Sequence, residues 1–166
     1  MKKFFLSHRQ AHLIAFFAAY FFVALALIVQ KKYNLEPCPL CITQRIIFMV
    51  LGLLFLINAF IRPRDLIKKI SLTFLSVTSI IGMVFSFKHI LIQSKAIDVP
   101  SECGVDLNYM FENFPFSKAL NLLFKGTGDC SHIDWTFLGL TIPELALIGF
   151  ILFFVYSVLL FRMNLK

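Results

Sequence analysis

The chain has little charge, and most of the charge it has is positive. Charged residues make up 15% of its 166 residues, against about 25% in soluble globular proteins, while hydrophobic residues reach 59%. This balance excludes an ordinary soluble domain. Gly/Ser-rich linkers, charged blocks and internal repeats are also absent, so nothing marks a second domain. We therefore expect a single integral membrane domain over residues 1–166.

Cysteine is absent from every long apolar run. Cys38 and Cys41 form a C-x-x-C pair where the second run begins, whereas Cys103 and Cys130 lie in one long polar segment. A membrane protein with all its thiols near one surface is expected to use them for electron transfer or for disulfides that fix its loops.

Four segments are apolar enough to cross a membrane, since a transmembrane helix needs about 20 predominantly apolar residues. They are residues 12–29, 42–61, 70–87 and 142–161. Backbone polar groups in lipid must be satisfied within the segment, so these spans should be helices. The sequence thus predicts an all-α membrane protein, a bundle of four transmembrane helices with external loops at 30–41 and 88–141.

The distribution of charge predicts the orientation. With four spans, both termini lie on one side, which carries nine cations and a single acid, Asp65; the other side carries seven cations and eight acids. Short loops rich in Lys and Arg stay in the cytoplasm. We therefore expect cytoplasmic termini and all four cysteines on the opposite face, where disulfides persist. The net charge of +7 is then a topology signal, and no nucleic-acid partner is expected.

The C-x-x-C pair lies where a helix should begin. Pro37 and Pro39 keep the approach extended, and proline suits a first helical turn. The positive end of the helix dipole would stabilise a thiolate at Cys41. Arg45 shares a helix face with Cys41. It could stabilise that thiolate or a reduced, anionic electron acceptor; alone, it would be interpreted as an arginine that snorkels to the interface.

Zinc binding is the competing interpretation of a C-x-x-C pair. A structural zinc site normally needs a second close pair of ligands. Cys103 and Cys130 are 27 positions apart, and neither has a close cysteine neighbour. The sequence therefore predicts no metal site.

Segment 88–141 is the one sizeable extramembrane part of the chain. A disulfide between Cys103 and Cys130 would close it, either as a static staple or as a mobile pair that passes electrons to Cys38 and Cys41. Residues 114–124 are expected to form a short amphipathic helix in the interface. Trp135, the only tryptophan, is expected to anchor the chain at the interface, although it could also pack near the redox site.

Taken together, these motifs resemble the disulfide bond formation protein B (DsbB) family over nearly the whole chain. The resemblance rests on the C-P-L-C pair with Arg45, on Gly128-Asp129-Cys130, and on the W-T-F-L-G-L run at 135–140 followed by Pro143. It implies an enzyme of the bacterial inner membrane, a protein dithiol:quinone oxidoreductase that supports disulfide bond formation. The partner it implies is a periplasmic thioredoxin-fold dithiol oxidase (DsbA-like), and such a relay to quinone keeps the periplasm oxidising.

The same resemblance implies a role for each site residue. Cys103 would form the mixed disulfide with the partner, and Cys130 would resolve it and pass electrons on. Cys38 and Cys41 would form the disulfide nearest the quinone, ubiquinone or menaquinone, with Cys41 facing its ring. Arg45 matches the family's quinone-associated arginine, and His89 lies where the family has a histidine near the quinone. Gln44 and Leu145 depart from the family's pattern, which has an acid or an aromatic residue at these places in some members.

Two other functions remain open at this point. One is a dithiol protein of the vitamin K epoxide reductase type, but that family has its active C-x-x-C on a late helix, whereas here the pair precedes the loop cysteines. The other is a non-enzymatic membrane protein with two structural disulfides, for which Cys41→Ser would have no effect on quinone reduction. A variant of the oxidase dedicated to one partner is also possible.

Overall fold

Four long helices dominate the part of the chain that the structure describes. The computed structural model describes residues 8–35, 37–60, 65–97, 128–133 and 135–164. The helices are α1 (His8–Tyr33), α2 (Pro39–Phe60), α3 (Asp65–Gln93) and α4 (Ile142–Asn164). Each is long and apolar enough to cross a membrane. The helices contain the segments expected to span it, except that the last residue of the second segment, residue 61, lies outside the described residues. The prediction of an all-α, multi-pass membrane protein is confirmed. Cys103 and the interfacial helix expected at 114–124 lie outside the described residues.

Small residues and aromatic rings hold the bundle together. Ala11, Ala15 and Ala19 form a buried stripe at a spacing of four along α1, which lets α1 pack closely against α2. The rings of Phe48 on α2 and Phe150 on α4 stack with centroids 4.0 Å apart. Large apolar side chains outside these contacts are exposed, as expected of a surface that faces lipid.

Gly82 on α3 makes room for the ring of Phe150 on α4. A Cβ atom at this position would lie 2.4 Å from the ring of Phe150, so only glycine fits without a shift of that ring. A hydrogen bond of 2.9 Å between the hydroxyl groups of Ser76 and Ser157 joins the same two helices. These contacts help to fix where the C-terminal half of α3 lies relative to its neighbours.

Helix α3 extends past the apolar segment to Gln93, so that His89 lies on a helix. The helix ends with Lys95 at φ 57° and with a backbone hydrogen bond of 3.0 Å from Ala96 to Leu91, a Schellman-type end. Helix α1 ends in the same way at Asn34, with φ 49°. Hydropathy marks only the part of a helix that suits lipid, whereas these turns show where the helical backbone stops.

The segment before α4 carries two compact elements. A 3₁₀ turn (Gly128–Ser131) contacts α3. A short antiparallel hairpin follows, in which β1 (Thr136–Phe137) pairs with β2 (Leu140–Thr141). Its two-residue turn has positive φ at both Leu138 and Gly139, as a type I′ turn requires. The hairpin leads directly into α4.

One half of a capping box starts α4. The backbone N–H of Thr141 donates to the Glu144 carboxylate at 2.6 Å, and the Thr141 hydroxyl donates to it at 3.0 Å. Threonine followed by glutamate three positions later is the sequence signature of this arrangement. It fixes the direction in which the hairpin enters the helix, and so helps to position Trp135 and Phe137 above the bundle.

Candidate redox site

The sulfur of Cys38 caps the N-terminus of α2. The Cys38 carbonyl accepts the first hydrogen bond of the helix, from the N–H of Ile42 at 3.3 Å. Its Sγ accepts a hydrogen bond from the backbone N–H of Cys41 at 3.4 Å. A side chain that accepts from the third helical N–H occupies the usual place of an N-cap oxygen. The positive partial charge of the helix N-terminus therefore acts directly on the sulfur of Cys38, whereas the sequence predicts this effect at Cys41.

The two sulfurs of the C-x-x-C pair are in contact. Cys38 Sγ and Cys41 Sγ are 3.1 Å apart, and both residues are thiols in this structure. A disulfide requires a separation of about 2.05 Å, which a small rotation of the side chains supplies. The two thiols differ in exposure, because Cys38 is buried and Cys41 is partly accessible.

Cys130 and His89 complete a cluster around Cys38. The Nε2 atom of His89 lies 3.6 Å from Cys38 Sγ. The potential ligand atoms of Cys38, His89 and Cys130 all lie within 4.8 Å of one another, and all three residues are buried. The 3₁₀ turn carries Cys130, and the last turns of α3 carry His89. Three separate parts of the chain thus meet at one sulfur atom.

The other nitrogen of His89 faces the amide of Gln44. Gln44 Nε2 lies 3.4 Å from His89 Nδ1, and Gln44 is itself buried. This contact fixes the plane of the imidazole ring, so that its Nε2 atom is directed at Cys38. Gln44 was noted in the sequence only as a departure from the family's pattern.

Cys38 is held as a neutral thiol in this arrangement. Hydrogen bonds with the thiols of Cys130 and Cys41, together with burial, raise the pKa of Cys38 well above its ordinary range. Only the thiolate is a nucleophile. Cys38 is therefore better suited to being attacked, as a member of a disulfide, than to starting an exchange from the fully reduced state.

Arg45 lies one helical turn after Cys41 on α2 and lines both cavities beside it. Its guanidinium donates a hydrogen bond to the side-chain oxygen of Gln30 near the end of α1, and it is close enough to interact with negative charge on Cys41. An arginine inside a transmembrane helix is costly unless it has such partners. The hydrogen bond to Gln30 thus holds the positively charged guanidinium of Arg45 beside Cys41.

A large apolar pocket opens next to Cys41. Its volume is about 470 Å³, which falls within the range of about 300–1,000 Å³ usual for small-molecule sites. Its polar side chains are few and lie near Cys41. Its walls come from α1, α2, the hairpin and α4 and include Phe22, Ala26, Phe48, Phe137, Leu145 and Ala146.

A second, smaller cavity also borders Cys41. Its volume is about 40 Å³, and Cys38, His89 and His132 are among the residues that line it. Cys41, Arg45 and Trp135 line both the small cavity and the large pocket. Cys41 is therefore the thiol that joins the buried cluster to the apolar pocket.

The predicted site residues fall into two groups. Cys38, Cys130 and His89 form the buried cluster, while Cys41 and Arg45 face the large pocket. His89, expected near the quinone, lines the small cavity and is not among the residues that line the large one. Trp135 packs beside the site, with its ring centroid 6.1 Å from that of Tyr33. Cys103 lies outside the described residues.

Sequence reasoning missed Gln30 and gave Gln44 no role. Both are amides at the edge of apolar runs, where a polar side chain needs a partner to offset its loss of water. The free-energy cost of burying these two amides was the signal in the sequence that each of them needs a polar partner. The partners, Arg45 and His89, could not be read from the sequence because one lies across a helix interface and the other is 45 positions away.

The chain is similar to known proteins over most of its length. A family model described as disulfide bond formation protein DsbB matches residues 8–160. The chain is 47% identical over 152 residues to disulfide bond formation protein B of Methylobacillus flagellatus, with 92% of each chain covered. It is 38% identical over 152 residues to the protein of that name from Nitrosococcus oceani, covering 92% of this chain and 90% of the relative. For Saccharophagus degradans the identity is 40% over 145 residues, with 87% of each chain covered.

Proposed function

Since the chain belongs to the DsbB family of disulfide bond formation proteins, we propose that it is a thiol:quinone oxidoreductase of the bacterial inner membrane. In this role it reoxidises a periplasmic, DsbA-like dithiol oxidase and passes the electrons through two disulfides to ubiquinone or menaquinone. Its termini lie in the cytoplasm and its cysteines face the periplasm. The observation that carries the proposal is the position of Cys41, which lines both the thiol cluster and a large apolar pocket.

Thiol–disulfide exchange accounts for the first half of the reaction. A thiolate of the partner attacks Cys103 in a Cys103–Cys130 disulfide, which forms a mixed disulfide and releases Cys130 as a thiolate. The second partner thiol then attacks the mixed disulfide, so the partner leaves oxidised and Cys103 is reduced. Each step breaks one S–S bond and forms another.

Cys130 carries the exchange into the membrane site. Its thiolate attacks Cys38 in the Cys38–Cys41 disulfide, which forms a Cys38–Cys130 disulfide and expels Cys41 as the leaving thiolate. The grouping of Cys38, His89 and Cys130 within 4.8 Å supports this step. Arg45 stabilises the negative charge that appears on Cys41, and Gln30 holds Arg45 in position.

The large pocket fits a quinone. An apolar chamber of about 470 Å³ suits a flat ring with part of its isoprenoid tail, and Arg45 supplies a donor for a ring oxygen. The Cys103 thiolate attacks Cys130 in the Cys38–Cys130 disulfide, which re-forms Cys103–Cys130 and releases Cys38 as a thiolate. A bound quinone would accept two electrons from Cys38 and Cys41 together with two protons, and the Cys38–Cys41 disulfide would re-form. The residues that would hold it are Arg45, Cys41 and the aromatic wall of Phe48 and Phe137.

Quinone reduction by the purified protein tests this function. The full-length protein is mixed with quinone and a reduced thioredoxin-fold dithiol protein, and Cys41→Ser is measured beside the wild type. Quinone reduction that is lost in Cys41→Ser supports the proposal. The control is Thr73→Ser, an exposed position near the other end of α3, which should react as the wild type does. Absence of quinone reduction with both quinones and several dithiol partners would refute it and favour two structural disulfides.

A further inference from the structure

The buried cluster at Cys38 has the ligands of a thiophilic metal site. We propose that the fully reduced protein binds one Zn²⁺ ion through Cys38 Sγ, His89 Nε2 and Cys130 Sγ, and that this ion reversibly blocks oxidation of the thiols. Spacing along the chain does not predict this site, since its three ligands come from three separate parts of the chain. The proposal concerns the reduced thiols alone and does not depend on which quinone or partner the protein uses.

The distances between the candidate ligand atoms are close to those of a zinc site. Zinc binds sulfur at about 2.3 Å and histidine nitrogen at about 2.0–2.1 Å in a tetrahedron, so neighbouring sulfur and nitrogen ligands lie about 3.5 Å apart. The observed separation of Cys38 Sγ and His89 Nε2 is 3.6 Å. The Cys130 sulfur is within 4.8 Å of both atoms, and a small side-chain rotation brings it to a third corner.

The charges of the two thiolate ligands balance the charge of the zinc ion. A divalent cation with two thiolates and one neutral imidazole has no net charge, so burial of the complex carries little of the desolvation cost of an isolated ion. All three ligands are buried, and Cys130 has no accessible surface. Binding releases the two thiol protons to solvent and transfers no electrons.

Gln44 supplies the outer support that a histidine ligand normally has. Metal-bound histidines usually donate their second ring N–H to an acceptor, which fixes the tautomer. The amide of Gln44 faces His89 Nδ1 at 3.4 Å. With its oxygen turned toward the ring, this amide accepts the Nδ1 proton and leaves the Nε2 lone pair for the metal. The amide oxygen and nitrogen exchange places by a simple flip.

The fourth position is open. The small cavity of about 40 Å³ beside Cys38 and His89 has room for a water ligand. Cys41 Sγ, 3.1 Å from Cys38 Sγ, belongs to a residue that lines the same cavity. Because Cys38 is a ligand, any disulfide that includes Cys38 removes the site, so metal binding is confined to the reduced state.

Spectroscopic metal binding tests the proposal without quinone or partner, so its outcome is separate from that of the proposed function. The full-length protein in detergent is reduced with a phosphine under anaerobic conditions and titrated with Co²⁺, followed by displacement with Zn²⁺. We expect one Co²⁺ per chain, with the visible absorption of a tetrahedral thiolate site. Absence of this absorption from the reduced wild type would overturn the proposal.

Single variants assign the ligands. His89→Ala and Cys130→Ser should each weaken Zn²⁺ binding by more than about 100-fold, and Gln44→Ala by about 10-fold, the low end of outer-shell effects. His132→Ala and Cys103→Ser should bind as the wild type does; His132 is an exposed histidine that lines the same small cavity. Unchanged binding in His89→Ala or Cys130→Ser, or loss of binding in Cys103→Ser, would overturn the ligand set.

Protection from alkylation provides a second readout that needs no variant. In the reduced wild type, Zn²⁺ should slow alkylation of Cys38 and Cys130 at least tenfold and leave Cys103 unaffected, as resolved by peptide mass spectrometry. A chelator should restore the original rates. Equal protection of all four cysteines, or protection of Cys38 and Cys41 without Cys130, contradicts the site.

Discussion

The guanidinium of Arg45 on α2 donates a hydrogen bond to the side-chain oxygen of Gln30 on α1. Arg45 also lines the large pocket together with Cys41. This pairing places one fixed positive charge where a thiolate and a reduced electron acceptor would both carry negative charge. It further ties the start of α2 to the end of α1, so the charge is held by tertiary structure.

Gln30→Ala should therefore lower quinone reduction about tenfold. A hydrogen bond to a charged group contributes roughly 1.5–3 kcal/mol, and water replaces part of it in the variant. The measurement is steady-state quinone reduction for Gln30→Ala, Arg45→Ala and the double variant. Lys31→Ala, at the exposed next position, is the matched control. Losses that simply multiply in the double variant would show that Gln30 does not act through Arg45.

Cys38 and Cys130 should form a disulfide readily. In a Cys41→Ser/Cys103→Ser double variant these two thiols remain, and mild oxidation should join them because their sulfurs lie within 4.8 Å. Non-reducing peptide mapping detects the product. Cys38→Ser/Cys103→Ser, which leaves Cys41 and Cys130, should cross-link more slowly. The reverse order would mean that Cys130 exchanges with Cys41.

The pH profile of Cys38 alkylation should be shifted to higher pH than that of an ordinary thiol. Hydrogen bonds with Cys130 and Cys41 raise its pKa, so in reduced protein with a metal chelator its alkylation rate should still increase with pH above about pH 8.5, where the rate of an ordinary thiol levels off. Cys130→Ala removes the larger cause and should move the profile to lower pH. An unchanged profile in Cys130→Ala would contradict this account.

The same pKa shift has a consequence for stability. Because the folded state favours the neutral thiol, the unfolded state releases the Cys38 proton more readily as pH rises. The stability contributed by this group is therefore fully present below the ordinary thiol pKa and is lost above it. Cys38→Ala should reduce the loss of thermal stability between neutral and alkaline pH.

Ala146→Phe should weaken quinone binding and leave the exchange reactions of the thiols unchanged. Ala146 lines the large pocket and not the small cavity, so a larger side chain fills the chamber without contact with the thiol cluster. The quinone KM should rise about tenfold or more, while oxidation of the partner in a single turnover stays unchanged. The matched control is Ala24→Phe, at an exposed position on α1. A wild-type KM in Ala146→Phe would place the quinone elsewhere.

Gly82→Ala should destabilise the bundle by roughly 1–3 kcal/mol, since the added carbon overlaps the Phe150 ring. Thermal unfolding in detergent measures the loss. Phe150→Leu, which removes the ring, should recover part of the stability when combined with Gly82→Ala. If the double variant is less stable than both single variants, the two residues are not in the contact described.

Local patterns determined the elements of this protein. Apolar length identified the four helices, because a span must bury its own backbone polar groups in lipid. The C-x-x-C pair with its flanking prolines placed Cys38 and Cys41 at the start of α2, because two cysteines three residues apart on one helical turn meet without any tertiary contact. The capping box at Thr141 and Glu144 was equally legible in the sequence, although the prediction did not use it.

Only the tertiary structure decided which residues meet. His89 is 51 positions from Cys38, and its neighbours depend on how α3 packs at Gly82 and how far α3 extends past the apolar segment. The large pocket likewise exists only where α1, α2, α4 and the hairpin leave space between them. Sequence spacing constrains contacts within one or two helical turns, whereas contacts between helices follow from the fit of whole surfaces. For that reason the spacing of the cysteines predicted no zinc site, whereas the three proposed ligands lie close together in the folded protein.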